Sequence, residues 1–324
     1  MHSLAPFLIL LLAMLAATGL CWRFLDPASV FHLLDHPNHR SLHQQAIPRS
    51  GGVAILLALI LSLTVAGNTQ GVSMQGLMLW LLASILVLSL VGLVDDYGHV
   101  SPLIRFATHF LVAGLLLLAG LGVAGLQLPG YYLALPRWVG LVLEIGFIVW
   151  MINLYNFMDG MDGFAGGMGC IGFTTFALIA WQNGATELAL ICAITAAANC
   201  GFLLFNFPPA RIFMGDTGST LLGLLAGCVI LYSHDSGLVP LWLGILVFSP
   251  FFVDATVTLT RRILHLEVFW KPHKKHYYQR VVQYGWGHGR TVLCEYVLML
   301  ACGISVIIGV GLPVTGQWLI IGGW

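Results

Sequence analysis

Two adjacent carboxylates, Asp95 and Asp96, close an apolar run in the string VGLVDDYG. With hydrocarbon beside them and no basic residue close by in sequence, such a pair repels itself unless it holds a cation or shares a proton. A solvated helix end would be the plainer role, yet the C-terminus of a helix disfavours anions. Acid–base work or cation binding is the chemistry expected here. A second cluster, NLYNFMDGMDGF, carries Asn153, Asn156, Asp159 and Asp162, with Gly160 and Gly163 behind the aspartates. The two asparagines are three residues apart and share a helical face. The glycines let a ligand come close to the backbone. An Asp-Gly turn alone needs less than this. Amides and carboxylates in a span are usually retained for function, and these suit a hard cation or a nucleobase and its sugar.

A third cluster, NFPPARIFMGDTGS, runs from Asn206 through Arg211 to Gly215, Asp216, Gly218 and Ser219. Asp216 is either a simple N-cap or a ligand for a bridging metal, at a helix start whose free N–H groups bind phosphate oxygens. The flanking glycines favour the second. Segment 261–290 gathers Arg261, Arg262, Lys271, Lys274, Lys275, Arg280 and Arg290 with His265, His273, His276 and His288. Orientation signals account for most of the cations but not for four histidines. Irregular spacing argues against zinc, and an anionic diphosphate is the fitting ligand. The first polar loop holds Asp35, His36, His39, Arg40, His43 and Arg49, then Gly51-Gly52 at a helix entrance. Asp254 and Glu144 lie inside apolar runs, and an interhelical hydrogen bond is the role expected of Glu144.

The rest of the chain must hold these groups at a bilayer boundary. Its 324 residues are 59% hydrophobic and 8% charged, against roughly 25% charged in a soluble domain. That excludes a secreted domain, a coiled coil, a disordered chain and a DNA-binding protein, so no nucleic-acid partner is expected. Seven cysteines without C-x-x-C spacing read as small core residues. A crossing needs about 20 apolar residues. Ten runs qualify, at 4–22, 52–66, 76–94, 103–121, 138–155, 164–181, 188–205, 217–232, 238–260 and 291–312. The expectation is an all-α polytopic membrane protein, one domain over 1–324 with about ten transmembrane helices. The apolar tail 313–324 makes an eleventh the alternative. The first run has no basic residues before it, so it is expected to be a span and not a signal peptide.

With alternating spans, the segments 23–51, 95–105, 156–163, 206–216 and 261–290 share one side. Twelve of the thirteen Lys and Arg fall there, and only Arg137 falls opposite. The basic side is cytoplasmic, so the N-terminus is expected outside. The candidate groups therefore meet at one cytoplasmic face. Oxygen ligands without thiolates point to Mg²⁺, or Mn²⁺. With anion-binding groups beside them, they suit phosphoryl transfer from a soluble nucleotide compound to a lipid phosphate. A transporter or flippase is the alternative. It predicts polar groups at the midplane, broken helices and repeats, and only Asp254 and Glu144 fit it.

At these residues the chain resembles the polyprenyl-phosphate N-acetylhexosamine-1-phosphate transferases, in motif order over nearly its whole length. The matching strings are HRSLH…PRSGG, VGLVDDYG, NLYNFMDGMDGF, NFPPARIFMGDTGS and the last basic loop. The family includes bacterial enzymes that start O-antigen and other surface glycans, and the phospho-N-acetylmuramoyl-pentapeptide transferase. The resemblance implies that Asp95 and Asp96 are catalytic, activating the lipid phosphate, and that Asp216 binds Mg²⁺. It implies that Asn153, Asn156, Asp159 and Asp162 bind the nucleotide sugar. Gly163, Asn206, Arg211, Gly218, Ser219 and His276 complete the expected substrate site. The family's H-x-H-H is replaced by His276-Tyr277-Tyr278-Gln279-Arg280, closer to the O-antigen branch. The reaction implied moves a sugar-1-phosphate from a UDP-N-acetylhexosamine to undecaprenyl phosphate and releases UMP, in the bacterial inner membrane. Direct attack by the lipid phosphate and a covalent aspartyl-phosphate are the two routes. Membrane lipid surrounds the protein, and a homodimer is left open.

Overall fold

The computed structural model describes residues 4–37, 45–72, 76–268 and 273–324. The string HRSLH and Lys271 lie outside the described residues. Each of the ten apolar runs forms helix. In chain order the elements are α1 (Ala5–Phe24), the short pair β1 (Leu34–Asp35) and β2 (Ile47–Pro48), α2 (Gly51–Gln70) and α3 (Leu77–Tyr97). Next come α4 (Pro102–Leu118), a hairpin of β3 (Gly125–Leu128) and β4 (Tyr131–Ala134), α5 (Arg137–Met158), α6 (Phe164–Gln182) and α7 (Thr186–Asn206). The chain then forms α8 (Gly215–Asp235), α9 (Leu241–Val247), α10 (Ser249–Leu264), α11 (Tyr277–Val281), α12 (Gly287–Val310) and α13 (Val314–Gly323). The protein is a multi-pass, all-α membrane protein. Among the described residues, eight helical stretches are long and apolar enough to cross a bilayer, and α4 is shorter at 17 residues.

The ninth run departs from expectation. It is not one straight helix over 238–260, because α9 and α10 meet at 91°. Pro250 sits in the first turn of α10. It has no N–H to continue the ladder of α9, and its ring would meet the carbonyl of Leu246. In the apolar tail, the ten residues of α13, about 15 Å long, lie against α12, with Trp324 Nε1 donating to Ser305 Oγ at 3.1 Å.

Helix α8 is the central post, packed against α2, α3, α5, α6 and α9. Small residues make that possible. A β-carbon at Gly52 would collide with the backbone of Gly218, so α2 and α8 touch backbone to backbone. Aromatic rings fill the space between α5, α6 and the bent pair, with Phe164 and Tyr155 at 4.6 and 5.1 Å from Phe251. Outward stripes such as Leu86, Leu90 and Val94 of α3 are exposed, as lipid-facing residues must be. The C-terminal ends of α3 and α5 and the N-terminal ends of α2, α4 and α8 all come to one end of the bundle. The β1–β2 pair, with Asp35 opposite Ile47, pins the first loop there.

Glu144 does not have its expected interhelical bond. It is 1% exposed, and among the described residues neither carboxylate oxygen has a hydrogen-bond partner.

Candidate active site

The two adjacent aspartates are used differently. Asp96, 3% exposed, turns its carboxylate onto the first turn of α8. It accepts from Asp216 N at 2.9 Å, Thr217 N at 3.0 Å and Thr217 Oγ1 at 2.7 Å. A side chain of α3 thus caps α8 and supplies the partners that the first N–H groups of a helix lack. The positive end of α8 offsets the penalty for an anion at the C-terminus of α3. Gly215 makes the approach feasible. Its φ is +75°, and a β-carbon there would stand 2.8 and 2.9 Å from the Asp96 oxygens.

Asp95 faces the other way. Its Oδ1 accepts from Val100 N at 2.8 Å, and its Oδ2 takes Arg105 Nη1 at 3.0 Å. The same nitrogen of Arg105 lies 3.3 Å from Asp216 Oδ2. Asn156 then holds the other side of Asp216, donating to Oδ1 at 2.7 Å and to Ser219 Oγ at 3.0 Å. Carboxylates from α3 and α8, a guanidinium from α4 and an amide from α5 therefore meet in one place. Asp159, at the end of α5, belongs to the same field. Burial, then the Asp216 and Asp96 carboxylates, push its carboxyl well above the usual range.

Other expected site residues are engaged elsewhere. Asn153 lies one turn deeper and donates to His109 Nδ1 at 3.1 Å and Val149 O at 2.7 Å. Asp162 ties loops together, meeting His288 Nδ1 at 3.0 Å and accepting from Ala210 N at 3.0 Å. Gly163 N–H donates to Asn206 Oδ1 at 3.0 Å, and its carbonyl accepts from Tyr296 at 2.6 Å. Asn206 is buried and also donates to Ile212 O at 2.9 Å. Gly218 is the packing contact with Gly52. Ser219 donates to Gly215 O at 3.0 Å. Arg211 is exposed, with its guanidinium 5.3 Å over Phe205. His276 is 5% exposed and bonded to Asp254 at 3.1 Å.

One sequence expectation needs correction on this geometry. The first N–H groups of α8 are not free for phosphate, since Asp96 takes those of Asp216 and Thr217. The aspartate pair, with no basic residue close by in sequence, gains basic neighbours in space. Arg105 contacts Asp95, and Arg49 Nη2 donates to the Asp96 carbonyl at 2.7 Å. Arg105 and His109 are four apart on α4 and so share a face, a signal that helical periodicity carries. Arg49 returns from 47 residues away, which no local pattern shows.

The donor set fits a hard divalent cation. Among the described residues, no three His, Cys, Asp or Glu side chains form a ready-made metal shell. Mg²⁺ does not require one, because it keeps waters and is commonly held by one or two carboxylates together with substrate phosphates. Asp216 and Asp95 present carboxylate oxygens around one guanidinium, Asp216 being held by Asn156 and, through its backbone N–H, by Asp96.

A one-ended polar site on a helical membrane bundle defines a class of membrane enzyme, and sequence comparison gives the family. Residues 78–234 match the family model described as glycosyl transferase family 4. The chain is 28% identical over 305 residues to a probable undecaprenyl-phosphate N-acetylglucosaminyl 1-phosphate transferase of Bacillus subtilis (strain 168), covering 93% of this chain and 83% of that one. It is 30% identical over 298 residues to the decaprenyl-phosphate N-acetylglucosaminephosphotransferase of Mycolicibacterium smegmatis (strain ATCC 700084 / mc(2)155), covering 82% and 73%. To the undecaprenyl-phosphate alpha-N-acetylglucosaminyl 1-phosphate transferase of Yersinia pestis it is 26% identical over 294 residues, covering 86% and 76%. The chain belongs to glycosyl transferase family 4, among its membrane-embedded sugar-phosphate transferases.

Proposed function

We propose that this protein transfers an N-acetylhexosamine-1-phosphate from its UDP carrier to undecaprenyl phosphate at the cytoplasmic face of the bacterial inner membrane. UMP is released, and the lipid-linked sugar begins a surface glycan of the O-antigen kind. The observation that carries this reading is the meeting of Asp95 and Asp216, from different helices, on the Arg105 guanidinium. Two carboxylates and a cation held at the end of a membrane bundle suit an in-line exchange between two phosphates. Bound Mg²⁺, or Mn²⁺, held by Asp216 with Asp95 beside it, would supply charge neutralisation for the donor diphosphate and the leaving UMP.

The protein's own groups divide the remaining work. Asp95, whose carboxylate faces the shared guanidinium, accepts or orients the proton of the lipid phosphate. Asp96 holds the start of α8, and hence Asp216, in position. Arg105 brings positive charge to the point where donor and acceptor phosphates meet. A groove of about 710 Å³ beside the bent pair, walled by Trp242, Leu246, Pro250 and Leu298 with Asp254 and Tyr277, offers the prenyl chain an apolar berth.

The break between α9 and α10 is a feature that transport also predicts. The carboxylate near it, Asp254, is instead bonded to the start of α11. The test is UMP release by purified protein in detergent, given undecaprenyl phosphate and a panel of UDP-N-acetylhexosamines with and without Mg²⁺. Release with one donor, only with metal, is expected. Folded protein that releases none with any donor would contradict the proposal.

A further inference from the structure

Asp254 is an acidic residue in an otherwise apolar stretch of a bent helix, and its surroundings are unusually specific. Its carboxylate is buried and accepts four hydrogen bonds. Thr258 Oγ1 and His276 Nδ1 reach Oδ1 at 3.0 and 3.1 Å. Tyr277 N donates to Oδ1 at 3.0 Å, and Tyr278 N to Oδ2 at 3.1 Å. Three of these four donors belong to the start of α11, so a residue of α10 caps a helix more than twenty residues on.

The consequence falls on His276. An ionised carboxylate can only accept, so an Asp254 carboxylate in that form selects an Nδ1–H on the His276 ring that faces it at 3.1 Å. That sets the tautomer and leaves Nε2 as the nitrogen for a ligand. The ring packs between Phe157 and Tyr278, with centroids at 6.3 and 5.9 Å. Tyr278 is itself tied back, its hydroxyl donating to Phe157 O at 3.2 Å. Phe157 is two residues before Asp159, so this stack joins the last cytoplasmic segment to the carboxylate site.

We infer that Asp254 is a positioning residue that holds His276 in its Nδ1-protonated form with Nε2 turned to the donor nucleotide sugar. The inference rests on the transferase reading above and adds how the single histidine retained from the family's pattern is aimed. It assigns a function to the bend at Pro250: turning α10 brings Asp254 to the head of α11.

Two measurements test it. Nitrogen NMR of isotope-labelled histidine, with the His276 signal assigned by its loss in His276→Gln, reports the tautomer in the unaltered protein. Protonation at Nδ1 is expected, and protonation at Nε2 alone would overturn the inference. The second is a double-mutant cycle with Asp254→Asn and His276→Gln, reading KM for each substrate. Each single change is expected to raise KM for the UDP-sugar about tenfold, and the double change to add nothing further, because both remove one coupled arrangement. KM for undecaprenyl phosphate should stay put. Multiplying effects, about a hundredfold together, or an equal rise for the lipid would make Asp254 merely structural and end the proposal. An unaltered protein that turns over no UDP-sugar would instead defeat the transferase reading itself.

Discussion

Asp96 and Glu144 are both almost fully buried, in opposite halves of one helical bundle, and their surroundings are opposite. Asp96 accepts three hydrogen bonds from the first turn of α8. Glu144, between α5 and its neighbours, accepts none. Burial of an ionisable group is costly in both places. At the working end the cost is offset by a helix terminus whose N–H groups need an acceptor, so the carboxylate and the helix stabilise each other. In the other half of the bundle no hydrogen-bond donor among the described residues offsets it. Depth alone therefore does not mark a functional carboxylate. The donors aimed at it do.

The contrast can be broken or sharpened by substitution. The largest effect is expected for Asp95→Asn. Removing the group that faces the acceptor should lower kcat about a thousandfold, while the thermal midpoint in detergent stays near the unaltered value because α8 keeps its cap. Asp96→Ala should do the reverse in emphasis. Leaving three buried donors without an acceptor should cost about 3 kcal/mol or more in chemical denaturation, with activity falling as Asp216 loses its placement. If Asp96→Ala melted normally, the capping account would be wrong.

Asp159 gives a pH-dependent case. Its carboxyl is held above the usual range, so the folded state prefers it protonated. The stability that this confers is complete below the ordinary Asp pKa of about 3.9 and is lost as pH rises through the raised value. Asp159→Asn should therefore raise the midpoint at neutral pH, and the gain should vanish in acid. A gain that persists unchanged in acid would contradict this. The smallest effect belongs to Glu144→Gln, which removes no hydrogen bond. It should leave UMP release unchanged and shift stability by less than about 1 kcal/mol, or upward. A large loss in either measurement would show that Glu144 has a partner in the membrane.

How far this was legible in the sequence varied with the kind of contact involved. Apolar runs of about 20 residues are a local property, and all ten formed helices. The bend in the ninth was announced by Pro250, which a hydropathy window averages away. Asp95, Asp96, Asn156, Asp159 and Asp216 were visible as polar groups where hydrocarbon should begin, and they do converge. What stayed hidden was the direction of each side chain. Adjacent aspartates look alike on paper, yet one faces Arg105 and the other faces α8. Gly163, Asn206 and Gly218 sit in motif strings but serve as backbone ties and close packing. The shared face of Arg105 and His109 is legible in helical periodicity, but their partners come from other helices, and long-range pairing leaves no mark in a local pattern.

The central claim is that Asp216 and Asp95 form the centre of a phosphate exchange whose acceptor is a lipid. Its most direct test is mass spectrometry of the lipid fraction after incubating protein with undecaprenyl phosphate, Mg²⁺ and the UDP-sugar that supports UMP release. The account predicts undecaprenyl diphosphate carrying one N-acetylhexosamine, and none from a correctly folded Asp216→Ala variant. Equal product from that variant, or UMP release with no lipid-linked sugar, would contradict it.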